Sequence, residues 1–215
     1  MLGFHIDGGL CEQFIVPSSK LHRSAKLDYE QLALIETLAI GYHAVKRSGI
    51  SKNDVVLVVG AGPIGLSVIQ SVNLIGTSVL VLDVNDKRLQ FAKEHFGVKN
   101  TYVNPDTIAN EMRSLLSGAM PTIVFDATGN TKSMESSFDY VASGGKIILV
   151  GFNRESIVFN DEQFHRNELS LIASRNALSD DFTDLIKLME DGIIDTSHWI
   201  SDRANWNSLV KTLPI

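Results

Sequence analysis

Short apolar runs rich in β-branched residues alternate along the chain with longer segments whose apolar positions recur at helical spacing. Buried parallel strands are nearly continuous apolar runs, whereas a helix that covers a sheet is apolar on one side. The pattern predicts strands at 55–59, 78–82, 101–103, 122–125, 146–150 and 168–173. Because the connections are short, we expect an α/β fold with a doubly wound, six-stranded parallel sheet and helices on both faces, a Rossmann arrangement.

Helices are predicted between these strands and before the first of them. Asp28 can cap a helix at 29–34, and a second helix over 36–47 should stop at Gly49. Later helices are expected at 87–96, 108–116, 131–141 and 181–190. Residues 10–16 also have strand character, although an isolated strand is not stable without a sheet to join.

A glycine motif directly follows the first predicted strand. Gly60, Gly62 and Gly65 have G-x-G-x-x-G spacing, and Pro63 suits the first turn of the next helix. Glycine permits a tight exit from the strand, close approach of a pyrophosphate and close packing of helix on strand. The helix N-terminus offers N–H groups and a positive dipole end to phosphates. The strand-turn-helix context predicts a dinucleotide site.

The second predicted strand ends in an acid, Asp83. A carboxylate there can accept hydrogen bonds from both ribose hydroxyls and repels a 2′-phosphate, which favours NAD over NADP. The alternative is a solvated acid at a strand end. A membrane span over 55–82 must also be considered, since this stretch has no charged residue. Its Gly-Ala-Gly-Pro break and polar interior argue against that interpretation.

Composition narrows the class of protein. The chain has 215 residues, 44% of them hydrophobic and 20% charged, which is ordinary for a globular protein. Its net charge of -6 argues against a nucleic-acid partner. The single cysteine, Cys11, excludes an intrachain disulfide and a Cys-rich zinc module and favours the cytoplasm. The first ten residues show no secretory signal, and Trp199 and Trp206 are expected to be packing anchors.

Segments in a fixed order carry a family resemblance: GGLCEQFIVP near the start, ALIETLAIGYHAV at 33–45 and VVLVVGAGPIG at 55–65. They resemble the zinc-dependent medium-chain dehydrogenases, and among these the sorbitol or L-iditol type polyol and sugar-acid dehydrogenases. The resemblance implies a remnant of a GroES-like catalytic domain at 1–27, an NAD-binding Rossmann domain at 28–176, and a C-terminal segment at 177–215 that returns toward the catalytic domain.

The resemblance also implies a catalytic zinc in the intact enzyme. Glu36 matches a glutamate that faces this zinc, with Thr37 where proline is usual; the alternative is a helix N-terminal acid. The family's cysteine and Gly-His-Glu ligands have no match here, so we expect a fragment that lacks most zinc ligands. A composite site of His5, His22, His43 and Glu36 is disfavoured, and His43 should pack beside the glycine loop as a hydrogen-bonded, partly buried histidine.

Further cofactor contacts follow from the resemblance. Arg88 matches a basic position at the adenosine ribose, and the alternative is an exposed helix cation. The resemblance implies that the nicotinamide is lined by backbone positions at Thr128, Gly129, Val150 and Gly151. It also implies that Arg175 reaches phosphate or substrate; the alternative is a solvated arginine. The predicted cofactor-binding set is Gly60, Gly62, Pro63, Ile64, Gly65, Asp83, Arg88, Thr128, Gly129, Val150, Gly151 and Arg175.

The resemblance implies an oxidoreductase that transfers hydride from a secondary alcohol of a polyol or sugar acid to NAD. The alternative is a catalytically silent NAD-binding module. A Rossmann-like methyltransferase is disfavoured because its glycine motif is looser. A homo-oligomer, dimer or tetramer, is expected because the last predicted strand would be a sheet edge.

Overall fold

The computed structural model describes residues 5–212. The strands are β1 (Val55–Val59), β2 (Ser78–Leu82), β3 (Asn100–Tyr102), β4 (Ile123–Asp126), β5 (Lys146–Leu149) and β6 (Ser170–Ala173). The α-helices are α1 (Tyr29–Ser48), α2 (Pro63–Ile75), α3 (Asp86–Phe96), α4 (Ile108–Leu115), α5 (Thr131–Ser136), α6 (Asp161–Arg166), α7 (Ser179–Glu190) and α8 (Leu209–Thr212). Short 3₁₀ helices cover Ser18–Lys20, Ser137–Asp139 and Trp206–Ser208.

The strands form one six-stranded sheet in the order β3-β2-β1-β4-β5-β6. Every pair of neighbouring strands is parallel. The predicted doubly wound α/β fold is therefore confirmed, with each predicted strand boundary within two residues. The chain reverses direction across the sheet between β1 and β4. Ligands of such sheets bind beyond the carboxyl ends of the strands at this switch point.

Side chains of β1 alternate between two hydrophobic layers. Val56 and Val58 pack in one cluster with residues of α2 and α3, including Ile69. Leu57 and Val59 pack in the other cluster with residues of α4. The sheet is thus covered on both faces, which explains why the buried strands read as continuous apolar runs rather than alternating ones.

The predicted division of the first helical region into two helices is wrong. α1 is continuous, and Ile35 at the expected break is buried against α7 residues such as Leu185. Its ends agree with prediction: Asp28 and Gln31 form a capping box, and Gly49 ends the helix in the left-handed conformation with φ 63°. Tertiary packing of one apolar face keeps α1 intact where the local pattern gave no reason for continuity.

Other differences lie at the periphery. Residues 10–16 form no strand, because no neighbouring strand pairs with them. β6 lies at the sheet edge, as expected for the last strand, but it is less buried than its apolar pattern predicts, and Leu171 is 36% exposed. The predicted helix at 131–141 ends at Ser136 and continues as a 3₁₀ turn. α6 was missed because it is short and has no buried residue.

The two tryptophans differ. The ring of Trp199 meets that of Phe96 edge-on, with 5.7 Å between ring centroids, and packs against the core. Trp206 is exposed. The expected packing role therefore holds for Trp199 alone.

A buried carboxylate joins α7 to α1. Asp181 accepts hydrogen bonds from Nδ1 of His43 and from the amide of Leu178, each at 2.8 Å, and the Lys46 ammonium lies 2.8 Å from its other oxygen. His43 is hydrogen-bonded and partly buried as predicted, but its partner belongs to α7 rather than to the glycine loop. Burial alone would raise the pKa of Asp181, yet the bonds from Lys46, Leu178 and His43 hold it below its ordinary value.

We expect Asp181→Ala to lower the free energy of unfolding by about 2–3 kcal/mol, because it removes a charged acceptor of several buried bonds. Asp184→Ala is the matched control: Asp184 pairs with the same Lys46 but is half-exposed, so its loss should cost less than about 1 kcal/mol. Urea denaturation measures both. Equal costs would contradict a special role for Asp181.

Wild type and Asp181→Ala can also be compared as a function of pH. A carboxyl whose pKa is lowered by folding stabilises the fold above its unfolded pKa of about 3.9, and this contribution is lost as pH falls through the folded value. The stability difference between wild type and Asp181→Ala should therefore be constant at neutral pH and shrink below about pH 4. A difference that grew on acidification would refute the assignment.

Candidate functional site

A cleft of about 520 Å³ lies beyond the carboxyl ends of β1, β2 and β4. This is the switch point of the sheet, where open α/β folds bind ligands. It is lined by Val59, Gly60, Gly62, Leu82, Asp83, Val84, Arg88, Pro105, Asp106, Ala127, Thr128, Asn130, Lys132, Ser133, Ser136 and Tyr140. The glycine turn that leads into α2 and the loop from β4 to α5 therefore line the same cleft.

Each glycine of the motif has its own structural reason. A Cβ on Gly65 would overlap the carbonyl oxygen of Gly60, so α2 can pack on β1 only without a side chain there. Gly60 has φ 94°, which disfavours other residues. Gly62 has neither constraint: φ is -76°, and the nearest atom to an added Cβ is Nη1 of Arg88 at 3.9 Å. Open space above Gly62 is what a ligand approaching the backbone would need.

The N-terminus of α2 faces this space without a capping side chain. Gly62 is the N-cap residue and has no side chain that could cap the helix. Pro63 occupies the first turn, as predicted. The amides of Ile64 and Gly65 follow in the same turn. Uncapped amides at a helix N-terminus carry partial positive charge and suit an anionic oxygen.

Asp83 is buried at the end of β2 and is held in one orientation. Its Oδ2 accepts the amide of Ala61 at 2.7 Å, and its Oδ1 accepts the amide of Asn85 at 2.8 Å. Nη1 of Arg88 lies 3.7 Å from Oδ2. A carboxylate has about four acceptor positions, so two remain for hydroxyl groups of a ligand.

Sequence analysis missed a second buried acid, Asp126, at the end of β4. Its Oδ1 accepts both the amide of Thr128 at 2.9 Å and the hydroxyl of Thr128 at 2.7 Å. Its Oδ2 accepts the hydroxyl of Ser133 at 2.6 Å. The signal in the sequence was an acid at the end of an apolar strand, followed by hydroxyl residues at 128 and 133.

Other predicted residues lie beside the cleft rather than in it. A Cβ on Gly151 would clash with the backbone of Gly129, and a Cβ on Gly129 would lie 2.9 Å from the carbonyl oxygen of Phe152. The loops after β4 and β5 are therefore in close contact. Val150 belongs to the β5 loop, and Arg175 is exposed after β6. The structure thus brings together Gly60, Gly62, Asp83, Arg88 and Thr128, but not Gly129, Val150, Gly151 or Arg175.

The predicted zinc-facing residue, Glu36, is exposed on α1. Within residues 5–212, no group of three or more His, Cys, Asp or Glu side chains is arranged to hold a metal ion. His22 stacks on Phe182, and His43 bonds Asp181. The described residues therefore do not fit a catalytic zinc, which needs about three protein ligands.

No helix within residues 5–212 is both long and apolar enough to cross a membrane.

Comparison with known proteins defines the class of protein to which this chain belongs. The sequence profile of the family described as zinc-binding dehydrogenase matches residues 63–191, and the chain belongs to this family. The chain is 32% identical over 212 residues to an L-galactonate-5-dehydrogenase of Escherichia coli K12, covering 99% of this chain and 62% of that enzyme. It is 35% identical over 156 residues to a sorbitol dehydrogenase of Gallus gallus, covering 70% of this chain and 44% of that enzyme.

This chain is also similar to a protein of known structure. A protein of Escherichia coli CFT073 described as a short chain alcohol dehydrogenase, in complex with its cofactor NADH, superposes with a TM-score of 0.82 at 30% identity. The match covers 90% of this chain and 58% of that chain. The protein described here thus spans about three fifths of the length of the first of these curated relatives.

The different constraints on two glycines can be tested directly. Gly65→Ala should cost about 3 kcal/mol of stability, because the methyl group overlaps backbone and forces α2 away from β1. Gly62→Ala should change stability by less than about 1 kcal/mol, because its backbone conformation suits alanine and its surroundings are open. Thermal or urea unfolding checks both variants. Comparable losses would show that Gly62 is also a packing position.

Proposed function

We propose that this chain is the coenzyme-binding portion of an NAD-dependent dehydrogenase that oxidises a secondary alcohol of a polyol or sugar acid. The observation that carries the proposal is one cleft that joins an uncapped helix N-terminus, open space above Gly62 and the buried carboxylate of Asp83. These features suit a pyrophosphate and a ribose diol at adjacent positions.

The cleft suits the adenosine half of the cofactor. The pyrophosphate would lie over Gly62 and the amides of Ile64 and Gly65, and the ribose hydroxyls would bond the two free acceptor positions of Asp83. Arg88, 3.7 Å from Asp83, would contact the same ribose. Thr128 lines the cleft with Asp83, so we assign it to the adenosine rather than to the nicotinamide.

The nicotinamide would extend toward the ends of β5 and β6. Gly129, Val150 and Gly151 lie in the touching loops beside the cleft, and Arg175 follows β6. We propose these residues for the nicotinamide half and for phosphate or substrate. When bound, the nicotinamide accepts the hydride, and the role of the chain is to bind and orient it.

The preference for NAD follows from Asp83. A 2′-phosphate would be placed beside a buried carboxylate whose orientation is fixed by two backbone amides, and like charges repel at this range. The related Escherichia coli structure holding NADH supports this assignment.

The substrate class and zinc rest on similarity. Relatives named for L-galactonate and sorbitol support a sugar acid or a polyol as substrate. Zinc in the intact enzyme, faced by Glu36, stays a prediction from the resemblance, because residues 5–212 supply no ligand set. That same observation favours a second candidate function for the chain as it stands, a catalytically silent NAD-binding module. We also propose the cytoplasm, since the sequence has only one cysteine.

Fluorescence titration with NADH and NADPH tests the cofactor proposal. NADH should bind saturably and at least about tenfold more tightly than NADPH, a difference of about 1.4 kcal/mol. Gly62→Ala should abolish NADH binding while the protein stays folded, because its methyl group occupies the space above the turn. Preference for NADPH would contradict the role of Asp83, and unchanged binding by Gly62→Ala would contradict the pyrophosphate position.

We further propose that the chain forms a homo-oligomer, dimer or tetramer, through β6. This strand is the sheet edge next to β5, and Ser170, Leu171 and Ala173 on it are exposed. The Ala173 carbonyl accepts a hydrogen bond from Nε of Arg47 at 3.1 Å, and an exposed strand edge favours pairing with another chain. Sedimentation velocity at micromolar concentration should show an oligomer that Leu171→Lys dissociates, whereas Leu115→Lys, at an exposed leucine of α4, should leave it intact. A monomer throughout would remove the proposal.

A further inference from the structure

Asp126 is a completely buried carboxylate with only neutral hydrogen-bond donors around it. The donors are the amide and hydroxyl of Thr128 and the hydroxyl of Ser133. A longer contact joins Ser137 Oγ to Oδ2 of Asp126 at 3.4 Å. Among the described residues, no Lys, Arg or His lies within 4.0 Å of it. Burying a charge is costly unless hydrogen bonds compensate it, so its presence requires an explanation.

Packing does not supply that explanation. Val59, which pairs with Asp126 in the register of β1 and β4, is apolar and buried. Val124, two residues earlier and therefore on the same face of β4, packs in the hydrophobic cluster. An apolar side chain would continue this layer at no electrostatic cost. What the carboxylate adds is the order of the loop that follows it.

The hydrogen bonds of Asp126 propagate through that loop. Thr128 Oγ1, while donating to Asp126, accepts the amide of Asn130 at 3.1 Å. Asn130 in turn caps α5 by accepting the amide of Ser133 at 3.2 Å. One carboxylate thus fixes both the turn after β4 and the first turn of α5. Thr128, Asn130 and Ser133 all line the cleft.

The orientation of Thr128 follows from this network. Because its hydroxyl is committed to Asp126 and Asn130, its methyl group is left to pack beside the glycine turn, 3.1 Å from a Cβ position on Gly60. β4 and β2 flank β1, so the Thr128 and Asp83 sides of the cleft are about 10 Å apart, two strand spacings. A nucleoside fits between a polar side and an apolar side at that separation.

We propose that Asp126 is a positioning residue for the adenosine half of the cofactor: it does not touch the ligand, but holds Thr128 and the first turn of α5 as the wall opposite Asp83. The inference rests on the proposed function, because it assigns this wall to adenosine. It requires hydrogen-bond acceptance by Asp126 rather than its negative charge.

Substitutions at Asp126 separate a requirement for hydrogen-bond acceptance from a requirement for negative charge. In Asp126→Asn the amide oxygen still accepts from Thr128, and the amide nitrogen can donate to Ser133, whose hydroxyl rotates to accept. Asp126→Val removes every acceptor but keeps a residue type that suits a buried strand. The matched control is Asp54→Val. Asp54 accepts the Thr122 hydroxyl at 2.7 Å and the Ser51 amide at 2.7 Å, a similar network at the opposite end of β1 and away from the cleft.

Calorimetric titration with ADP-ribose is the binding measurement, since this ligand contains the adenosine and pyrophosphate but no nicotinamide. Asp126→Val should weaken ADP-ribose binding at least tenfold, whereas Asp126→Asn should stay within threefold of wild type and Asp54→Val should be unchanged. Amide hydrogen exchange provides the local readout: Thr128 and Asn130 should lose protection in Asp126→Val and retain it in Asp126→Asn.

Each other outcome has a distinct meaning. Unchanged affinity in Asp126→Val, or equal losses in Asp126→Val and Asp54→Val, would overturn the positioning role. Equal losses in Asp126→Asn and Asp126→Val would also overturn it, because charge would then be the requirement. If Asp126→Val does not fold, Thr128→Val replaces it, and unchanged affinity there would overturn the role. Failure of wild type to bind ADP-ribose would instead overturn the proposed function, and this inference with it.

Discussion

Close packing of α2 on β1 determines where the rest of the cleft can lie. Because Gly65 has no side chain, its backbone reaches the carbonyl of Gly60, and the first turn of α2 stands directly over the end of the sheet. The same principle recurs one layer further out, where a Cβ on Gly41 of α1 would overlap Ser67 of α2. Two glycine contacts therefore fix β1, α2 and α1 as a stack.

Asp181 extends this stack to α7. The residues of α7 that face α1 form a hydrophobic cluster with Ile35 and Leu38, and Asp181 completes the contact with His43 and Lys46. The segment after 176, which the resemblance assigns to a return toward a catalytic domain, begins with a helix packed on α1. That domain division stays a prediction, but any movement of the later segment must start beyond α7 or break the contacts of Asp181 with His43 and Lys46.

The sheet could be predicted from the sequence because its strands are buried on both faces and are separated by glycine and polar turns. The glycine motif and Asp83 could also be predicted, because their positions follow from local spacing in the sequence. What failed depends on contacts distant in sequence. α1 continues past Ile35 because α7 covers it, and what Asp126 does becomes clear only when Thr128 and Ser133 are seen to donate hydrogen bonds to it.

Asp83 and Asp126 end the two strands that flank β1, yet they differ in what they can do. Asp83 uses two acceptor positions on backbone amides, which leaves two for hydroxyl groups in the cleft. Asp126 has protein donors on both oxygens: two from Thr128 on one, and Ser133 with the more distant Ser137 on the other. A carboxylate already satisfied by protein gains nothing from a ligand hydroxyl. In the proposed function, these two acids at equivalent strand ends therefore have different roles: Asp83 binds the ligand, and Asp126 holds the opposite wall of the cleft in place.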